Sequence, residues 1–138
     1  MVTDASARIQ LDHAGDRVLV AEDNPVNRLI AEELMRSAGL VVDCAVDGLQ
    51  AVEMSRGGGY ALIVMDVQMP ELNGLDATRA IRARDGPMIP IIAMSADDSF
   101  NDRAACIAAG MNDHVSKPFD PSRLFAVLLH WLTPASLR

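Results

Sequence analysis

The stretch Ala61-Leu62-Ile63-Val64-Met65-Asp66 decides the fold class. Its unbroken apolar run reads as a short strand buried on both faces, the kind found inside parallel sheets. Val67-Gln68-Met69-Pro70 follows, and Pro70 with the Asn73-Gly74 pair forces a loop. A carboxylate, Asp66, is therefore held where a buried strand ends. In open α/β sheets that is the usual place for ligand chemistry. Alone the signal is weak, because Asp also closes strands for turn chemistry.

Working outward, the same grammar repeats. Val18-Leu19-Val20-Ala21 is followed by Glu22-Asp23, and His114-Val115-Ser116 by Lys117-Pro118. Strands are predicted at Arg17–Glu22, Val41–Val46, Ala61–Met65, Pro90–Met94 and Asp113–Ser116. Helical patterns lie between them. In the first, Val26, Ile30 and Leu34 mark an inward face widened by Leu29, while Arg28, Glu32 and Arg36 lie on a solvated face at i, i+4 spacing. A second helix opens at Asp47-Gly48 and dies in Gly57-Gly58-Gly59. A third runs from about Leu75 to Arg84, and a fourth covers Ser99 to Ala109 with Gly110 as its stop. Asp120-Pro121 starts a fifth, with Leu124, Val127, Leu128 and Trp131 inward. Strand and helix alternating five times predicts a doubly wound parallel sheet with helices on both faces. Residues 1–16 read as a polar tail or linker, 17–133 as one domain and 134–138 as a C-terminal tail.

Composition narrows the function. The chain has 138 residues and a formal net charge of −7, which argues against a broad nucleic-acid surface and suits a metal site or a basic protein partner. Cys44 and Cys106 have no CxxC spacing, so buried free thiols are expected. No signal peptide is evident and the apolar stretches are too short to span a bilayer, so a cytoplasmic domain without membrane contact is the default. Met65, Met69, Met88, Met94 and Met111 read as core filling.

Glu22, Asp23 and Asp66 would meet at one edge of such a sheet, with Lys117 beside them. Clustered carboxylates repel unless a proton or cation compensates. Hard oxygen donors without His or Cys suit Mg2+. Plainer readings stand beside these: helix capping for Glu22-Asp23, an ordinary surface lysine for Lys117, and a helix cap for Ser95 or Asp97.

Glu22-Asp23, Asp66 with Met69-Pro70 and Gly74, Ser95-Ala96 and Lys117-Pro118, in that order and spacing, resemble the response-regulator receiver domain from about Arg17 to Leu132. The resemblance implies strand order 2-1-3-4-5 in a flavodoxin-like fold with five helices. It implies Mg2+ bound by Asp23, Asp66 and the backbone carbonyl of Gln68, with Glu22 acting through water. Asp66 would be the phosphoacceptor, attacking a phosphohistidine of a histidine kinase or histidine phosphotransfer domain, and Lys117 would neutralise charge. Ser95 would carry the switch by bonding a phosphoryl oxygen, reshaping the face of the fourth helix, fifth strand and fifth helix. Gln68 and Asp97 would tune hydrolysis of the acyl phosphate. A cis peptide between Lys117 and Pro118 is also implied.

One position departs from the family pattern. His114 stands where Tyr or Phe is usual, so the expected ring motion gives way either to a weaker, pH-sensitive switch or to a half-exposed histidine with no special role. The stretches Asp66-Val67-Gln68-Met69-Pro70 and Ala109-Gly110-Met111-Asn112-Asp113 look like receivers of hybrid histidine kinases. The expectation is a signalling switch, not a turnover enzyme. A degenerate receiver that only binds protein is the first alternative. An Asp-nucleophile phosphatase or dehalogenase is the second, disfavoured because Gln68 stands where such enzymes carry a second Asp.

Overall fold

The computed structural model describes residues 3–96 and 100–138, apart from the side chains of residues 100 and 101. Its elements run α1 (Asp4–Asp12), β1 (Arg17–Ala21), α2 (Pro25–Ser37), β2 (Val41–Ala45), α3 (Gly48–Ser55), β3 (Leu62–Asp66), α4 (Gly74–Asp85), β4 (Ile91–Ser95), α5 (Phe100–Ala109), β5 (Asp113–Ser116) and α6 (Pro121–Leu132). A short 3-10 turn, Ala135–Leu137, closes the chain. The five strands are parallel in the order β2-β1-β3-β4-β5, as the resemblance implied. Their carboxyl ends therefore share one edge, and β1 and β3 are neighbours there.

Side-chain alternation explains the two layers. Val18, Val20, Val64, Ile92 and Met94 point to one face, packed with α1, α2 and α6. Leu19, Ala21, Ile63, Met65 and Ala93 point to the other, packed with α3, α4 and α5. All five residues of β3 are buried, as expected for a strand covered on both sides. Four of the helices that follow a strand are started by a side chain from the loop before them. Asn24, Asp47, Asn73 and Asp120 accept N–H groups in the first turns of α2, α3, α4 and α6.

Three expectations need correction. Residues 4–12, predicted as tail, form a helix, so six helices rather than five flank the sheet among the described residues. Thr3 and Ser6 form a reciprocal capping box at its start, and Ile9 is fully buried in the core shared with α6. One well-placed Ile and a box lacking the usual Glu left little periodic signal. The inward face of α2 is also rotated from the predicted one. Val26, Leu29 and Ile30 are 65, 55 and 44% exposed, whereas Ala31, Met35 and Ala38 are buried. Small side chains at 31 and 38 let the helix approach the sheet, and the larger hydrophobes face outward. Finally, Met88 is exposed rather than core filling, although Met65, Met94 and Met111 are buried. Both cysteines are free, Cys106 buried and Cys44 half-buried. The last residues fold back, with Arg138 stacked 4.5 Å from the Trp131 ring centroid.

If α1 is an integral part of the packed domain, Ile9→Ala should lower the unfolding free energy in urea by about 2 kcal/mol or more, the usual cost of truncating a buried Ile. A loss below about 0.5 kcal/mol would show that α1 does not contribute to the cooperative core.

Candidate functional site

At the carboxyl edge of the sheet the end of β3 meets the end of β1. Asp66 is 3% exposed and Glu22 is fully buried. The ammonium of Lys117, just past β5, lies 2.9 Å from Glu22 Oε1 and 3.2 Å from Asp66 Oδ2. Asp23 is exposed at the rim, and ligand oxygens from Glu22, Asp23 and Asp66 all lie within 4.8 Å of one another. The sequence-predicted residues Glu22, Asp23, Asp66 and Lys117 are thus brought together. Capping does not explain the acidic pair. Asn24 caps α2, while Glu22 Oε2 accepts the Asn24 N–H at 3.3 Å, outside the first turn of the helix. Nor is Lys117 an ordinary surface lysine, since its side chain is only 15% exposed.

The electrostatics follow from burial. Desolvation, then the neighbouring Glu22 carboxylate, pushes the Asp66 carboxyl up to about 7. Burial also opposes the charge on Glu22, but bonds from Asp66 and Lys117 outweigh it and hold Glu22 below the usual carboxylate range. Lys117 likewise loses solvation and still titrates higher than a free lysine, because two carboxylates face it. Below about pH 7, without a metal, the trio is therefore close to one anion, one cation and one neutral acid.

Two glycines make the geometry possible. A Cβ on Gly74 would lie 2.0 Å from the Asp66 carbonyl oxygen, so α4 can start this close to β3 only with Gly there. A Cβ on Gly48 would lie 1.8 Å from the Leu72 carbonyl oxygen, so the loop after Asp66 packs directly on α3. The Gln68 N–H donates to Asp66 Oδ1 at 3.2 Å and keeps that loop beside the carboxylate.

Ser95 is buried at the end of β4, and its carbonyl accepts the Lys117 N–H at 2.9 Å. The Lys117–Pro118 peptide is cis, as implied. His114 is buried at 8% exposure opposite Ala93, not half-exposed. It lines two adjoining cavities of about 200 and 260 Å³, between Arg103 of α5 and Arg123 of α6. Asp97 lies outside the described residues. Sequence reading missed Arg28, whose guanidinium donates to the backbone carbonyls of Glu22 at 2.9 Å and Asp23 at 3.4 Å. The available signal was its i, i+3, i+7 register with Ala31 and Met35, on the face that proves to be inward.

This site on this fold defines a class of protein. The response regulator receiver domain model matches residues 18–129, and the chain belongs to that family. It is 43% identical to the receiver domain of the sensor histidine kinase PA1611 of Pseudomonas aeruginosa, solved with magnesium in its active-site cleft. That match has a TM-score of 0.80 and covers 86% of this chain and 98% of that one. Among curated relatives, the sensor protein GacS of Pseudomonas syringae is 35% identical over 125 residues, which is 88% of this chain and 14% of GacS. The chain thus spans a small part of the curated relatives it matches. A complex of the Saccharomyces cerevisiae phosphotransfer protein Ypd1 with the Ssk1 receiver also matches, at 29% identity and TM-score 0.81, covering 86% of this chain and 89% of that one. This is a receiver domain of two-component signalling. No helix among the described residues is long and apolar enough to cross a membrane.

The raised Asp66 value has a defined consequence for stability. A carboxyl titrating higher in the folded state than the unfolded value of about 3.9 stabilises fully below that value and loses its contribution as pH rises through the folded one. With EDTA present, the urea midpoint should fall between pH 5 and pH 8, and Asp66→Asn should flatten that fall. Identical pH slopes for the two proteins would contradict the buried acid pair.

Proposed function

We propose that this receiver accepts a phosphoryl group on Asp66 from a phosphohistidine of a protein partner, with Mg2+ as cofactor. The observation that carries the reading is a buried Asp66 set between Glu22 and Lys117, with Asp23 completing an all-oxygen cluster. Such a donor set fits Mg2+, which favours carboxylates and retained waters. Asp23, Asp66 and the Gln68 carbonyl would hold it, with Glu22 acting through water. When bound, Mg2+ supplies positive charge against the phosphoryl oxygens and takes the place of the proton that Asp66 otherwise carries.

The chain's own residues then align and neutralise. An Asp66 carboxylate oxygen bonds to phosphorus as the phosphorus–nitrogen bond breaks, and the electron pair returns to the partner's imidazole. Lys117 remains protonated and offsets the charge on the new acyl phosphate. The Ser95 hydroxyl then donates to a phosphoryl oxygen and draws the following loop inward. That motion reshapes the face of α5, β5 and α6, with His114 in the place of the family's usual aromatic ring. Gln68 and Asp97 tune the hydrolysis of the acyl phosphate. As an isolated domain it catalyses only its own phosphorylation and dephosphorylation.

The partner is a histidine kinase or a histidine phosphotransfer domain. Val26, Leu29 and Ile30 form an exposed apolar strip on α2 that begins three residues after Asp23, beside the acceptor. An apolar helix surface on the partner would bury that strip while presenting its phosphohistidine to Asp66, and a structural neighbour solved with a phosphotransfer protein supports this pairing. Two hybrid signal transduction histidine kinases of Dictyostelium discoideum, to which this chain is 34% and 39% identical, support a parent that is itself a hybrid histidine kinase, and the domain is assigned to the cytoplasm.

Transfer from a phosphohistidine-bearing domain tests the reading. Wild type should become labelled with Mg2+ present, whereas Asp66→Asn should not. Leu29→Asp with Ile30→Asp should slow transfer from the protein donor at least tenfold yet leave labelling by a small phosphodonor unchanged, consistent with losing central apolar anchors. Labelling of Asp66→Asn would refute Asp66 as acceptor, and unimpaired transfer to the double variant would refute the docking face.

A further inference from the structure

We propose that Arg28 is a positioning residue that fixes the backbone of Glu22 and Asp23 and so sets the affinity of the acidic cluster for a divalent cation. The inference rests on the receiver reading above and adds a residue to its machinery.

Arg28 lies in the second turn of α2, on the stripe that continues inward through Ala31, Met35 and Ala38. Side chains on a helix lean toward its N-terminus, which here carries the guanidinium back over the loop joining β1 to α2. It donates to the carbonyl oxygens of Glu22 at 2.9 Å and Asp23 at 3.4 Å, and it makes no ion pair among the described residues. Both bonds come from one guanidinium nitrogen, Nη1, which bridges two consecutive peptide units. Those units carry the two carboxylates of the site. Glu22 is anchored on its other side, where its N–H bonds the Ala45 carbonyl at 3.0 Å. Asp23 is exposed, and among the described residues the Arg28 guanidinium is the group that bonds its carbonyl.

Two roles for this guanidinium predict opposite signs. Acting only as a positive charge near the cluster, Arg28 repels a cation, and its removal strengthens metal binding. With Nη1 acting as a donor that bridges two carbonyls, its removal loosens the acid pair and weakens binding. Groups that orient metal ligands typically carry a tenfold or greater share of affinity.

Calorimetric titration of the full chain with MgCl2, at fixed pH and ionic strength, separates the two. Wild type and Asp23→Asn are titrated alongside Arg28→Gln and Arg28→Lys, with thermal melts in EDTA to verify folding. Arg28→Gln should bind Mg2+ roughly tenfold more weakly. Arg28→Lys, which keeps a charged donor but not the reach and planar shape of the guanidinium, should recover part of that loss. Unchanged or tighter binding by Arg28→Gln overturns the proposal. If that variant does not fold, Arg28→Leu, which removes donor and charge but keeps apolar bulk, takes its place, and unchanged or tighter binding by it overturns the proposal. Wild type failing to bind Mg2+, or Asp23→Asn binding as tightly as wild type, would overturn the receiver-site reading and this inference with it. Equal binding by the Arg28 variants against a wild type that depends on Asp23 would overturn the inference alone.

Discussion

A buried carboxylate beside a second carboxylate is tolerated only when a proton or a cation shares the space, and this constraint organises the domain. Asp66 and Glu22 are both removed from water at the edge of the sheet, and the Lys117 ammonium reaches both. Replacing such a trio with well-packed apolar groups is often neutral or stabilising for a fold. Its presence therefore points to chemistry. The charge balance also leaves room for a divalent cation, since the proton that raises Asp66 is one a metal can displace.

The rest of the molecule serves to bring these groups together. Parallel strands in the order β2-β1-β3-β4-β5 put the ends of β1 and β3 side by side, and the cis peptide after Lys117 follows the edge strand β5. Two packed layers hold the strands from both faces. Gly74 and Gly48 allow helices to start against main-chain atoms of the loop that follows Asp66. Ser95 ends β4 at the same edge, and His114 sits two residues short of the end of β5, opposite Ala93.

Much of this was legible in the sequence because its signals are local. An apolar run ending in Asp, a Pro or Gly immediately after it, and a cap residue before each helix are short-range features. They placed the five strands to within a residue at most ends, and they placed Glu22, Asp23, Asp66 and Lys117 at one edge. What stayed hidden depends on tertiary packing. The inward face of α2 was misread because bulk hydrophobicity favoured Val26, Leu29 and Ile30, whereas close approach to the sheet favours Ala31 and Ala38. Arg28 was assigned to solvent for the same reason. The helix α1 escaped notice because its single buried anchor, Ile9, has no periodic partner in so short a segment.

The most direct test of the central claim is to locate the phosphoryl group chemically. The domain is incubated with acetyl phosphate with Mg2+ or with EDTA, and its intact mass is recorded before reductive trapping and peptide mapping. The account predicts a single adduct, dependent on Mg2+, mapping to Asp66 and absent from Asp66→Asn. An adduct that maps elsewhere, or one that forms equally in EDTA, would contradict it.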